Sequence, residues 1–228
     1  MKWKLLAALA TPLALLGCKE APRAPQPSVS VAATTVPAAD EVTILALGDS
    51  LFAGYGLSPG QSYPAQLETA LKARGIAARI VNAGVSGDTT ADGLARVDFV
   101  LSGMDRKPAM AIISLGGNDL LRALPPAETR KHLAAILAKF RAAKVPVVLL
   151  QLLAAPNLGP DYAAGFNPIY PALAKQYGAE LVPFWIAPLQ GHPELLQGDH
   201  IHPTLPGIDK LVAATVDQVA GALPTKRK

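Results

Sequence analysis

The sequence predicts a three-layer α/β/α domain, in which helices cover both faces of a parallel sheet. Short apolar segments alternate with longer segments whose apolar residues recur at helical spacing. The apolar segments contain few polar residues, which is typical of strands that are buried on both faces. Alternation of strands and helices implies crossover connections, and these produce a parallel sheet.

Five segments are predicted strands, and the fifth follows the pattern more weakly than the others. They are residues 42–47, 78–82, 110–115, 147–152 and 180–184.

Helix signals lie between and after these strands. Ser62 is an N-cap candidate, with Pro64 in the first turn and Gly75 after the helix end. A final helix is predicted after Thr204, with Pro206 near its start. Two apolar helix faces follow from spacing: Leu133, Ile136, Leu137 and Phe140 in one helix, and Ile208, Leu211, Val212, Thr215 and Val219 in the last.

Length and charge favour one domain without a nucleic-acid function. The 228 residues are 50% hydrophobic and 17% charged, enough for one substantial core. Part of the net charge of +4 lies at the chain ends, so the folded part is near neutral and has no basic stripe for nucleic acid. The terminal charges are Lys2, Lys4, Lys19, Arg23, Lys226, Arg227 and Lys228.

Residues 1–18 are predicted to be a lipoprotein-type signal peptide. Two lysines precede the apolar run 5–16, which is short for a bilayer span and is interrupted by Pro12. The ending Leu-Leu-Gly-Cys resembles a bacterial lipobox, which implies lipidation at Cys18, although Leu16 departs from its usual small residue. Cleavage and release is the alternative. Because Cys18 is the only cysteine, no internal disulfide is expected.

Residues 19–40 are predicted to be a disordered tether, and residues 41–228 the folded domain. Proline, alanine, serine and threonine dominate the tether, and its few large apolar side chains cannot nucleate a core. The expected location is the periplasmic side of a bacterial cell envelope. Resemblance to bacterial sorting signals favours the outer membrane, because Lys19 and not aspartate follows the cysteine.

Four short polar stretches lie at the ends of predicted elements. Loops after parallel strands converge on one sheet edge, so these stretches can together supply a hydroxyl, a base, a carboxylate and oxyanion donors. They are Gly-Asp-Ser-Leu at 48–51, Ser-Gly-Asp-Thr at 86–89, Gly-Gly-Asn-Asp at 116–119 and Asp-His-Ile-His-Pro at 199–203.

These stretches, in this order, resemble the SGNH/GDSL hydrolases, and most closely their bacterial thioesterase, lysophospholipase and arylesterase branch. The resemblance covers about residues 42–223 and implies a flavodoxin-like sheet of five parallel strands. It implies that Ser50 is the nucleophile, His202 the base and Asp199 its orienting partner. It also implies an oxyanion hole built from the backbone N–H groups of Ser50 and Gly87 and the side-chain amide of Asn118.

The residue types suit these roles. A serine needs an adjacent base to act as a nucleophile, and histidine can take up and return a proton near neutral pH. Asp199 lies close enough in sequence to His202 to fix its tautomer. Gly87 leaves room for backbone to approach a reacting carbonyl, and Asn118 adds a neutral donor.

Structural roles are the alternative at several of these positions. Ser50 alone could be a helix cap, and Asp49 and Asp88 are expected to cap helices or brace loops. Asp119 could cap the helix that follows it. Gly116 and Gly117 fit a tight turn, and the series Tyr162, Phe166 and Tyr170 fits helix packing.

Two positions depart from the family pattern. His200 stands where glycine is common, and Leu153 stands where close relatives have a basic residue, which weighs against contact with an anionic headgroup. His200 and His202 with one carboxylate are too few for an expected metal site. Residues 155–162 resemble the substrate-loop region of the branch, and the Gly-x-Ser-x-Gly elbow of α/β-hydrolases is absent from the sequence.

The predicted function is a serine esterase that cleaves carboxylic esters or thioesters through an acyl-enzyme, without metal or organic cofactor. Expected substrates are short to medium acyl esters, aryl esters or lysophospholipids. One alternative is a carbohydrate O-acetylesterase or acetyltransferase of envelope glycans, and another is a non-catalytic binding lipoprotein. No obligate protein partner is implied, and the expected membrane contact is the lipid anchor at Cys18.

Overall fold

The computed structural model describes residues 41–224, so the predicted signal peptide, Cys18 and the tether lie outside the described part of the chain. Five parallel strands form one sheet with the order β2-β1-β3-β4-β5, as predicted. The strands are β1 (Val42–Gly48), β2 (Ala78–Gly84), β3 (Met110–Ser114), β4 (Val147–Leu150) and β5 (Glu180–Val182).

Eight α-helices are present in the described residues, and the longer ones pack in two groups. In chain order, the second helix packs against the eighth in one group. In the other group, the fifth helix packs against the third and the seventh, and the two groups form the predicted layers on the sheet. They are α1 (Ser50–Ala53), α2 (Tyr63–Ala73), α3 (Thr90–Ser102), α4 (Gly117–Leu121), α5 (Pro126–Ala142), α6 (Pro160–Phe166), α7 (Ile169–Tyr177) and α8 (Leu205–Ala222).

Most predicted element features are confirmed, with two differences. The last two strands end earlier than predicted, and directly after β5 Pro183 has no N–H with which to continue the ladder. Ser62 occupies the N-cap position of α2, but its side chain makes no capping hydrogen bond. By contrast, the Thr204 hydroxyl does cap α8 by accepting from the Gly207 N–H at 3.4 Å.

Buried apolar side chains from the sheet and both helix layers form the core. The predicted apolar faces of α5 and α8 are buried, as are Phe166 and Tyr170. The Tyr162 ring stacks on Phe166 with 5.9 Å between centroids, which confirms that this aromatic series serves packing. In the described residues, no helix combines the length and the hydropathy needed to cross a membrane.

The sheet reverses its winding direction beside β1. The chain passes from β1 to β2 on one side and returns to β3 on the other, so Gly48 pairs with both Gly84 and Ser114. Ligands of open α/β sheets bind where the carboxyl ends of the strands meet such a reversal. The first three polar stretches of the sequence follow these three strand ends.

Candidate active site

Ser50, His202 and Asp199 form a continuous hydrogen-bonded chain. Ser50 is the first residue of α1, directly beyond the end of β1, and its Oγ lies 2.8 Å from His202 Nε2. On the other side of the ring, Nδ1 lies 2.6 Å from Asp199 Oδ2. When the carboxylate accepts a hydrogen bond from the Nδ1–H group, Nε2 is left without a proton and can accept the serine hydroxyl proton. The structure therefore brings the three predicted residues together.

A tight turn fixes the carboxylate of Asp199. Its Oδ1 accepts the backbone N–H groups of Ile201 at 2.9 Å and His202 at 3.0 Å. The hydrogen bond from the His202 ring and these two backbone bonds hold the pKa of Asp199 well below its usual range. The carboxylate therefore stays charged at neutral pH and can stabilise an imidazolium.

Two residues that the sequence analysis missed support the histidine. The Tyr55 ring lies against the His202 ring, with 4.5 Å between centroids. The Gln197 amide donates to the carbonyls of Tyr55 at 2.7 Å and Pro203 at 2.9 Å, which ties the end of α1 to the histidine loop. No spacing pattern in the sequence indicates either contact, because both join distant parts of the chain.

Three donors are available for an oxyanion. Among the described residues, neither the Ser50 nor the Gly87 backbone N–H donates a hydrogen bond. The Asn118 amide donates one hydrogen to the Asp88 carbonyl at 2.9 Å, which leaves its second hydrogen free. Gly87 has φ +90° and its carbonyl accepts from Arg122 at 2.8 Å. The hydrogen bond to Asp88 gives Asn118 a role that differs from helix capping.

Asp88 braces a loop, as predicted. Its carboxylate accepts from Arg96 Nε at 2.6 Å, and the same guanidinium donates to the Gly48 carbonyl at 2.9 Å. Arg96 thereby joins the loop after β2 to the end of β1. The role of Arg96 was not predicted from the sequence. The one feature that could have indicated it is the position of Arg96 in the helix that follows Asp88.

Asp49 caps α1 from a buried position. Its Oδ1 accepts the Leu51 N–H at 3.1 Å, and the residue is 2% exposed. Burial raises its pKa to about 7. The backbone of Gly117 passes close to this carboxyl: a Cβ added at Gly117 would lie 3.1 Å from Asp49 Oδ2. The predicted structural role of Asp49 is confirmed.

The expectation that Asp119 caps the following helix is wrong. Asp119 lies inside α4, is buried, and accepts the Thr90 N–H at 2.9 Å at the start of α3. It also accepts the hydroxyl protons of Thr90 at 2.6 Å and Thr129 at 3.0 Å. These hydrogen bonds join α4 to the start of α3 and to α5, so the carboxyl of Asp119 serves contacts between helices.

A cavity of about 420 Å³ begins at Ser50 and Asn118. Leu153 is in its wall, as is Ala155 from the predicted substrate loop. His200 also lines it and has φ +57°, a conformation that favours glycine. Of the cavity residues, none is lysine or arginine, and within residues 41–224 no three His, Cys, Asp or Glu side chains cluster as metal ligands.

Comparison with known proteins agrees with this geometry. The family described as GDSL-like Lipase/Acylhydrolase matches residues 46–209. Esterase TesA of Pseudomonas aeruginosa is 41% identical over 170 residues, covering 75% of this chain and 84% of that protein. Thioesterase 1/protease 1/lysophospholipase L1 of Escherichia coli is 38% identical over 169 residues, covering 74% of this chain and 79% of that protein.

A solved structure is similar over nearly its whole length. AlinE4, described as an SGNH-hydrolase family esterase, is 56% identical with a TM-score of 0.69, covering 81% of this chain and 98% of its own. Two solved AlinE4 mutants replace a serine and an aspartate with alanine, and these positions are as far apart as Ser50 and Asp199 are here. The family match and the fold thus agree, and the chain belongs to the GDSL-like lipase/acylhydrolase family of SGNH hydrolases.

Proposed function

We propose that this serine ester hydrolase cleaves carboxylic esters and thioesters through an acyl-enzyme, with Ser50 as the nucleophile. The observation that carries the proposal is the hydrogen-bonded chain from the Ser50 hydroxyl through His202 to Asp199. A serine is a weak nucleophile unless a base removes its proton, and this chain supplies that base together with a carboxylate that orients it.

The reaction follows from this geometry. Ser50 Oγ attacks the ester carbonyl while its proton moves to His202 Nε2, and Asp199 stabilises the resulting imidazolium. The Ser50 and Gly87 N–H groups and the free hydrogen of Asn118 stabilise the oxyanion. Collapse breaks the bond to the alcohol or thiol, which leaves with the His202 proton. Water then attacks the acyl-enzyme while it loses a proton to His202. The bond between the acyl group and Ser50 Oγ breaks, the acid is released, and His202 returns the proton to Ser50.

The cavity supports an apolar acyl substrate. Leucine and isoleucine side chains form most of its wall beyond the reacting atoms, so an aliphatic chain bound there would leave water. The named relatives include an esterase and a thioesterase/lysophospholipase, which agrees with acyl esters as the substrate class.

A hydrolysis panel with an active-site probe tests the proposal. We expect the protein to hydrolyse p-nitrophenyl esters faster than an acetylated glycan and to be labelled by a fluorophosphonate at Ser50. Ser50→Ala should abolish labelling and lower kcat by about 10⁶, the loss typical of a serine nucleophile. A Ser50→Ala protein that keeps a tenth or so of the wild-type rate would contradict the mechanism, and absence of labelling in active wild type would do the same.

We also propose that the protein is anchored at the periplasmic side of the bacterial envelope. The support is sequence alone: a lysine-led apolar run that ends at Cys18, and a proline-rich and alanine-rich segment before the folded domain. These residues lie outside the described part of the chain.

A further inference from the structure

Tyr55 connects the nucleophile to the loop that carries the base. Its backbone N–H donates to the Ser50 carbonyl at 3.2 Å, and its carbonyl accepts from the Gln197 side-chain amide at 2.7 Å. The backbone N–H of Gln197 in turn donates to the His202 carbonyl at 2.7 Å. The position of Tyr55 is therefore fixed relative to both Ser50 and His202.

The ring of Tyr55 lies against the ring of His202 and outside the hydrophobic core. The two ring centroids are 4.5 Å apart, and the ring planes meet at 36°, which is nearer to a stacked than to an edge-on arrangement. Tyr55 is 52% exposed, so burial of apolar surface in the core does not explain an aromatic residue at this position. The contact with the base is what distinguishes the site of this ring.

The nitrogen atoms of the His202 ring are already engaged. Nδ1 contacts Asp199 and Nε2 contacts Ser50. Hydrogen bonds to ring nitrogens lie near the plane of the imidazole, so the aromatic contact with Tyr55 leaves both of them in place. The histidine can therefore take up a proton from Ser50 while the tyrosine ring stays against it.

We infer that the Tyr55 ring stabilises the imidazolium that His202 becomes when it takes the Ser50 proton, an inference that rests on the proposed function. A cation within about 6 Å of an aromatic centroid is attracted by the negative face of the ring, and a neutral imidazole lacks this attraction. The contact is stronger in the transition state, where the charge develops, than in the complex with bound substrate. Tyr55 thus acts through His202, as a positioning residue.

Three replacements of Tyr55 separate the electrostatic effect of the ring from its size. Tyr55→Phe keeps the aromatic face, so its kcat for a p-nitrophenyl ester should stay within about twofold of wild type. Tyr55→Leu is apolar without that face and should lower kcat about fivefold with KM nearly unchanged. A ring-trifluorinated phenylalanine at this position has the shape of phenylalanine but a weakened negative face, so its kcat should fall as in Tyr55→Leu. Acylation and deacylation both form the imidazolium, so kcat reports the contact whichever step is slower.

Phe99→Leu is the matched control. It removes an aromatic ring that is 80% exposed on α3, outside the catalytic chain and the cavity lining, so its kcat and KM should equal those of the wild type.

Three results would overturn the inference alone, provided that fluorophosphonate still labels Ser50. The trifluorinated variant could keep the kcat of Tyr55→Phe, Tyr55→Phe could lose as much as Tyr55→Leu, or Tyr55→Leu could raise KM without lowering kcat. A wild-type protein that hydrolyses no ester would overturn the proposed function as well.

Discussion

Asn118 lines the cavity, and its side-chain amide donates one hydrogen to the Asp88 carbonyl and keeps a second hydrogen without a described acceptor. These two hydrogens have separable consequences, because one supports the loop and the other is available to an oxyanion. A donor that meets charge only as it develops stabilises the transition state more than bound substrate.

We therefore predict that Asn118→Ala lowers kcat by about 10² to 10³ and leaves KM nearly unchanged. Loss of the hydrogen bond to Asp88 should cost about 1 kcal/mol of unfolding free energy. Steady-state kinetics and urea unfolding on the same preparation separate the two effects. A variant that is destabilised but has a normal kcat would contradict the role of Asn118 in the oxyanion hole.

The buried carboxyl of Asp49 should make the free energy of unfolding depend on pH. Its pKa rises from 3.8 to about 7 on folding because it is buried, so the folded protein binds this proton more tightly than the unfolded chain. The stabilisation is therefore complete below pH 3.8 and is lost as the pH rises to about 7. The full change is on the order of 4 kcal/mol.

Asp49→Asn should remove this dependence while it keeps an acceptor for the Leu51 N–H. We expect the unfolding free energy of the variant, relative to wild type, to increase from pH 4 to pH 7 and then level off. Urea unfolding across this range provides the measurement, and taking the difference between proteins cancels most other titrations. A difference that stays constant with pH would contradict a raised pKa at Asp49.

At the scale of elements, Asp119 joins three helices at the back of the site. It lies in α4 and accepts donors from Thr90 at the start of α3 and Thr129 in α5. Because α4 also carries Asn118, this buried carboxyl helps to set the position of a predicted oxyanion donor.

Asp119→Ala should destabilise the protein by roughly 3 kcal/mol or more, because it leaves several buried donors unpaired. Asp98→Ala is the matched control: its carboxyl contacts Lys139 on the surface and is 72% exposed, so the loss should be within about 0.5 kcal/mol. Chemical denaturation of the two variants tests this contrast. Equal losses would show that the Asp119 network contributes no more than a surface pair.

At the scale of the whole molecule, the sheet order explains why distant residues meet. The loops after β1, β2 and β3 open at the winding reversal, and the loop before α8 brings His202 to the same edge. The proposed anchor at Cys18 precedes this domain in the chain.

We predict that Cys18→Ser shifts the protein from the membrane fraction to the soluble periplasmic fraction or leaves the precursor unprocessed. The reason is that lipidation requires the thiol, which is the only one in the chain. Fractionation with immunoblotting gives the measurement, and Ser28→Ala in the predicted tether serves as the control. Equal membrane amounts of wild type and processed Cys18→Ser would contradict lipid anchoring.

The sequence by itself determined the fold and the membership of the site. Strand and helix periods are local properties, so alternation along the chain was sufficient to predict five parallel strands between helices. Ser50, Asp199 and His202 were recognisable because their motifs, in this order, resemble those of the SGNH/GDSL hydrolases, and loops at one sheet edge can bring such residue types together. The signal peptide and the anchor at Cys18 stay predictions, since they lie outside the described residues.

Only the tertiary structure decided which side chains contact one another across elements. The Tyr55 ring beside His202 and the Asp119 bond to Thr90 join residues far apart in sequence, and no local period encodes such contacts. The raised pKa of Asp49 likewise depends on burial, which is a sum over many neighbours. Sequence motifs specify the reacting groups, and packing determines the environment of those groups. The environment depends on the tertiary structure because desolvation and long-range hydrogen bonds exist only once the layers have assembled.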